Sequence, residues 1–222
     1  MKRISPFIIV GVVAIVTIAG AMFLYRAKVA AAGPGPDMGK AEKEIADSVH
    51  SLGPANAPFT LEEFGDFQCP PCGKLSEPIN QLQRDCGSKL RVIFRNFPLA
   101  VHQHAKEAAL AAEAAGLQGK FWPMHDLLFR EQAVWSISDN ARSLFESYAG
   151  MIGLNLEKFK KDVQSNEVEE RISVDQRRGS VIGVKSTPTI FLNNEALRPE
   201  VLDPTKLRDV VSAVVKSGKP SS

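Results

Sequence analysis

The sequence predicts an α/β protein, a small sheet covered by helices, and three observations carry that reading. A strand–helix–strand pattern begins at Phe59, strand signals cease between residues 101 and 180, and they return at "TPTIFLNN" near the C-terminal end. The simplest packing is one sheet built from both ends of the chain, with a helical insertion between its two halves.

The elements follow in order. Residues 7–24, "FIIVGVVAIVTIAGAMFL", carry no charge, and as a helix they rise about 27 Å, close to the roughly 30 Å of a hydrocarbon core. A signal-peptide core is shorter, roughly 7–15 residues, so length favours an uncleaved anchor over a cleaved signal, although "VAAAG" at 29–33 offers small residues to a peptidase. Lys2 and Arg3 precede the run, and Arg26 and Lys28 follow it, so positive-inside bias is weak. In either case the bulk of the chain is exported. Residues 1–28 are read as the anchor or signal and 29–50 as a linker, whose "AAAGPGPDMGK" is a tether. Ile45, Val49 and Leu52 are spaced for a helix or a frayed strand before the turn "GPANAP".

Residues 51–100 form the first half. "FTLEEF" suits a strand, Leu75, Ile79 and Leu82 mark a helix with Pro78 as a kink, and "KLRVIFRNFP" is a second strand stopped by Pro98. Residues 101–180 are the insertion: "AKEAALAAEAAG" ends at Gly116, "KFWPMHDLLFREQ" has Pro123 in its first turn, Ser138 and Asn155 offer N-caps, and "EVEERISVDQRRG" closes at Gly179. Residues 181–217 hold the returning strand and a last helix from Asp203 to about Lys216, and 218–222 are a tail.

Composition narrows the function. A net charge of +2 over 222 residues, with no basic block, argues against nucleic acid. Three cysteines are too few for a disulfide-stapled miniature or a four-thiolate zinc site. That directs attention to "FGDFQCPPC", residues 64–72. A metal clip would need Cys86 or histidines such as His102 and His104, and this ligand set is incomplete. A structural staple across two residues removes little unfolded-state entropy. A redox pair explains more. Cys69 lies at a helix N-terminus, where unsatisfied N–H groups and the macrodipole favour a thiolate, and Pro70 and Pro71 fill the first turn, which tolerates them. Cys72, one turn inside, would be the shielded resolving thiol, and Cys86 a small packing residue.

"APFTLEEFGDFQCPPC" (57–72), "RVIFRNFPL" (91–99), "HAKEAALAAEAAGLQGKFWPMHDLLF" (104–129) and "GVKSTPTIFLN" (183–193), in this order, resemble the DsbA-like thiol-disulfide oxidoreductases of the thioredoxin superfamily. The resemblance covers about residues 50–215 and implies a thioredoxin-like fold with a helical domain inserted between its halves. It implies that Cys69 is the nucleophile and Cys72 the resolving thiol. Thr187-Pro188 matches the cis-proline pair that faces the cysteines and binds substrate backbone. Glu63 matches a buried acid for proton transfer; the bland alternative is a surface carboxylate on an edge strand, a part that Glu62 could play. Where strong oxidases of the family place a histidine before the second cysteine, this chain has Pro71, which leaves the potential open. The implied function is disulfide donation to exported cysteine-containing proteins by a monomer, single-pass in the bacterial cytoplasmic membrane, with its catalytic domain outside. Reoxidation by a membrane quinone-linked partner is implied, with neither cofactor nor metal. The competing readings are a reductase or isomerase using the same cysteines and, from another class, a peptide-binding holdase or metallochaperone.

Overall fold

A computed structural model describes residues 50–218. The apolar run 7–24, most of the linker and the last four residues lie outside the described residues, and among the described ones no helix is long and apolar enough to cross a membrane.

The sheet is built from both ends of the chain, as the strand signals predict. Strands β1 (Ser51–Leu52), β2 (Phe59–Gly65), β3 (Leu90–Asn96), β4 (Thr189–Leu192) and β5 (Glu195–Ala196) lie in the order β1-β3-β2-β4-β5. β2 and β3 run parallel, joined through helix α1 (Pro70–Cys86), and β4 runs antiparallel to β2. β1 is antiparallel to β3, so the spacing of Leu52 resolves as a strand. The β4–β5 hairpin turns on Asn193 and Asn194, both at positive φ, a conformation that asparagine tolerates.

The insertion holds α2 (Ala105–Gly116), α3 (Phe121–Arg130), α4 (Gln132–Trp135), α5 (Ala141–Met151), α6 (Leu156–Asp162) and α7 (Asn166–Val181). Helix α8 (Pro204–Ser217) follows β5, capped by Asp203, whose Oδ1 accepts from the N–H groups of Thr205 and Lys206. Asn155 caps α6 as expected. Two expectations are corrected. Ser138 does not cap α5; its hydroxyl accepts from the Asn140 N–H in the preceding turn, and Asn140 is the N-cap residue. Helix α7 does not stop at Gly179 but runs to Val181, because Gly179 is there for packing: a Cβ would come within 2.8 Å of the Phe97 ring.

Strand alternation decides what lies on each face. Phe59 and Leu61 of β2, with Leu90 and Val92 of β3, pack under Leu75, Ile79 and Leu82 of α1 and under Val211 and Val215 of α8. Glu63 is next in this register and therefore faces α1 too. Glu62 and Phe64 point to the opposite face, toward α7. A second core fills the insertion around Met124, Leu128, Trp135 and Phe145 and continues through Phe67 to Cys69 and Cys72. The cysteine pair thus sits where insertion, sheet and α1 meet.

Candidate active site

Cys69 is the N-cap residue of α1, in extended conformation (ψ 117°), and Pro70 and Pro71 form the helix's exposed first turn. Cys72 lies one turn inside and is completely buried. Cys69 is itself only 4% exposed. The peptide Thr187-Pro188 is cis, and the loop it shapes covers the pair: the Cys69 thiol donates to the Thr187 carbonyl oxygen at 3.2 Å. The Thr187 hydroxyl is buried and finds no partner while Cys69 is a thiol, which leaves it free to donate to the ionised sulfur.

The two thiols are electrostatically unequal. A hydrogen bond from the Cys72 side chain is the largest influence on Cys69, and with the Thr187 side chain and the Cys72 backbone N–H it brings the thiol down to about 6, against burial and the Asp66 carboxylate. Burial, first, and then the hydrogen bond to Cys69 and the charges of Glu63 and Cys69 push Cys72 far above the ordinary thiol range. Near neutral pH the balance favours a thiolate at Cys69 and a thiol that keeps its proton at Cys72.

Glu63 is buried on central strand β2, with Oε1 unpartnered, and burial followed by the Cys69 charge raises its carboxyl to about 8. It is a protonated acid at neutral pH, facing the cysteines. The alternative of a surface carboxylate fails for both residues of the pair. Glu62 is also buried, and it accepts from Arg95 Nε at 2.9 Å and from Arg178 Nε at 2.8 Å. Arg95 reaches on to Asp175 at 2.9 Å, so this second carboxylate ties the sheet to α7.

Three neighbours escaped the sequence reading. Gln132, from α4, donates its Nε2 to the carbonyls of Phe67 at 2.6 Å and Cys69 at 3.0 Å, holding the bend into the helix from the insertion side. It can approach because residue 73 is glycine; a Cβ there would stand 2.8 Å from Gln132 Oε1. Gln68 bridges the Ser136 carbonyl and the His104 N–H. Asp66, fully buried, accepts from the Gln68 N–H, the Leu99 N–H and His102 Nδ1. An acid three residues before Cys69 was the available signal for Asp66; the Gln132 contact spans 63 residues and left none. His102 and His104, weighed as ligands, take different partners, Asp66 and Glu107.

Fold and site together define a class: a protein that holds two unequal thiols, two residues apart, at the start of a helix against a cis-proline loop. Thiol-disulfide exchange is the chemistry that such a pair can perform. The chain belongs to the thioredoxin family, whose model, described as Thioredoxin, matches residues 46–213. A thioredoxin-like oxidoreductase from Silicibacter pomeroyi shares the fold at 25% identity and TM-score 0.62, over 76% of this chain and 93% of that one. BdbD from Bacillus subtilis does so at 24% identity and TM-score 0.66, over 77% and 94%. The thiol-disulfide exchange protein alpha-DsbA2 from Wolbachia pipientis is similar in fold, at 21% identity and TM-score 0.65, over 80% and 93%. Among curated proteins, Na(+)/H(+) antiporters NhaA 1 from Salinispora arenicola and Mycolicibacterium gilvum are each 38% identical, over 66% and 67% of this chain. The matched stretch is only 22% and 24% of those antiporters, so the chain spans about a quarter of their length or less.

Proposed function

We propose that the protein is an extracytoplasmic thiol-disulfide oxidoreductase that donates the Cys69–Cys72 disulfide to exported proteins. The observation that carries this is the placement of the pair: Cys69 at the start of α1, 3.2 Å from the Thr187 carbonyl oxygen, with Cys72 completely buried behind it. A Cys69 thiol brought down to about 6 stabilises the reduced form, and a protein whose reduced form is stabilised gives its disulfide away.

A substrate thiolate attacks Cys69 Sγ, the S–S bond breaks, and the electron pair goes to Cys72. Glu63 supplies the proton that this sulfur needs, because its carboxyl, raised to about 8, is still protonated near neutrality. The substrate's second thiolate then attacks the substrate sulfur of the mixed disulfide, and Cys69 leaves as a stabilised thiolate beside Thr187. The substrate has lost two electrons and two protons, the protein has gained two electrons, and Glu63 recovers its proton from solvent. Thr187 and Pro188 present the loop against which the substrate backbone lies, and Pro70 and Pro71 leave the rim free of competing N–H groups.

The uncharged run 7–24 supports a single membrane-spanning anchor with the catalytic domain on the extracytoplasmic side of a bacterial cytoplasmic membrane. Continued turnover requires an oxidant, and a membrane quinone-linked partner acting on a monomeric chain is the proposed source. The test is refolding of a reduced, unfolded disulfide protein by the pre-oxidised protein. One disulfide should be gained per Cys69–Cys72 pair consumed, and Cys69→Ala should give none; transfer undiminished in Cys69→Ala would overturn the assignment.

A further inference from the structure

The Asp66 carboxylate has a place in the site that the exchange steps do not use. Its backbone carbonyl accepts from the Cys69 N–H at 3.0 Å, which fixes it against the nucleophile's own peptide. Its side chain is wholly inaccessible and its oxygens are filled: Oδ1 by the Gln68 N–H at 2.7 Å, Oδ2 by the Leu99 N–H at 2.9 Å and His102 Nδ1 at 2.7 Å. A buried carboxylate three residues before a sulfur that must ionise, tied to it through the backbone, opposes the charge, and its influence on Cys69, the smallest of those acting, has that sign. His102 is different, for its side chain is 24% exposed and lines an open cavity of about 360 Å³ between the loop after β3 and α7. With Nδ1 committed to Asp66, the second nitrogen, Nε2, is the one left to exchange protons with solvent.

We propose that Asp66 and His102 act as a proton-controlled counterweight on Cys69: the bare Asp66 carboxylate opposes the thiolate, and a proton on His102 Nε2 cancels that opposition. Both are positioning residues that touch no substrate, and the inference rests on the exchange chemistry proposed above. The surrounding charges do not confuse the switch. Lys106 of α2 and Glu169 of α7, which line the same cavity, neutralise each other at 2.5 Å. His104 pairs with Glu107 on α2, and Glu63 lies on β2, where its charge bears on Cys72. On the α7 wall the other polar groups are Ser173 and Gln176, which are neutral. The protein would thus hold its thiolate more firmly, and oxidise more strongly, in acid than the same site without an ionisable residue at position 102.

His102→Gln keeps a donor for Asp66 but cannot be charged, and His102→Lys carries a fixed charge. At pH 5, Cys69 alkylation in reduced His102→Gln should be about threefold to tenfold slower than in wild type, a half to one unit of apparent thiol pKa, with His102→Lys equal to wild type. At pH 7.5 the order turns: His102→Gln should match wild type in its equilibrium with glutathione, and His102→Lys should be about tenfold more oxidising, or about 30 mV. Asp66→Asn, which removes the opposing charge itself, should behave as His102→Lys at pH 7.5. A merely structural role would move the Gln and Lys variants together, and that result overturns the proposal while leaving the exchange reading intact. Absence of a reversible couple in the wild-type protein would overturn both. If the variants fail to fold, the His102 ring titration followed by NMR in the wild-type protein decides. It must occur at higher pH in the reduced than in the oxidised protein, and identical titrations contradict the linkage.

Discussion

The Cys69 sulfur and the Thr187 carbonyl oxygen stand 3.2 Å apart, across 118 residues of sequence, with the thiol donating to the oxygen. A nucleophile at a helix start is thereby placed under a loop from the far end of the chain, so a substrate bound along that loop reaches Cys69 and not Cys72.

Cys72→Ala should therefore trap substrates as stable mixed disulfides through Cys69, whereas Cys69→Ala should trap few. Cys72 is completely buried and holds its proton. Counting complexes on a non-reducing gel checks this, and trapping mainly through Cys72 would reverse the assignment.

Glu63 makes a prediction with a definite sign. Its folded-state carboxyl is raised to about 8, above the unfolded value near 4.3, so its contribution to stability is complete below the unfolded value and is lost as pH rises through 8. Between those limits reduced wild type should lose up to about 1.4 kcal/mol per pH unit relative to Glu63→Gln, measured by urea unfolding at pH 5, 7 and 9. The same substitution should slow exchange by roughly 10²-fold, the low end for loss of a general acid. Unchanged rates would remove Glu63 from the mechanism.

The Glu62–Arg95–Asp175 bridge is a structural counterpart. Arg95→Met leaves two buried carboxylates short of a partner and should cost about 3–5 kcal/mol in unfolding free energy. The loss should be smaller at pH 5 than at pH 8, because burial, outweighing Arg95, already raises Asp175 to about 6 and protonation relieves the orphaned charge.

Gln132→Leu removes the donor to two carbonyls at the bend before α1 and should lower stability by about 1–3 kcal/mol. If the insertion positions the nucleophile, Cys69 alkylation should also become less selective over Cys72, read by mass spectrometry of the modified peptides.

The anchor proposal rests on residues 7–24, and the full-length protein should fractionate with membranes while a protein beginning near Gly39 is soluble and active. A mature N-terminus near Ala31 or Ala32 in native material would contradict it.

Much of this was legible because it is local. "FTLEEF" reads as the strand it forms, Pro70 and Pro71 announce the helix start, and Asp203 marks the start of α8, whereas Glu63 was reached through the family resemblance. Contacts between distant segments were not legible. Nothing near Gln132 announces that it will meet Cys69, and Gly179 looks like a helix stop until Phe97 and Phe64 are packed against it. Glu62 and Glu63 are identical letters with opposite environments: one meets two arginines from β3 and α7, and the other is buried with Oε1 unpartnered, within reach of the Cys69 charge. Only the partner strand and helices separate them.

The most direct test of the account is equilibration of the described domain with glutathione buffers of graded ratio, with the Cys69–Cys72 state read by alkylation and mass. The account predicts one reversible two-electron couple, confined to Cys69 and Cys72 with Cys86 unchanged, and a potential less negative than the roughly −270 mV of thioredoxin. The absence of a reversible couple would contradict the redox reading, and a potential below that mark would contradict disulfide donation.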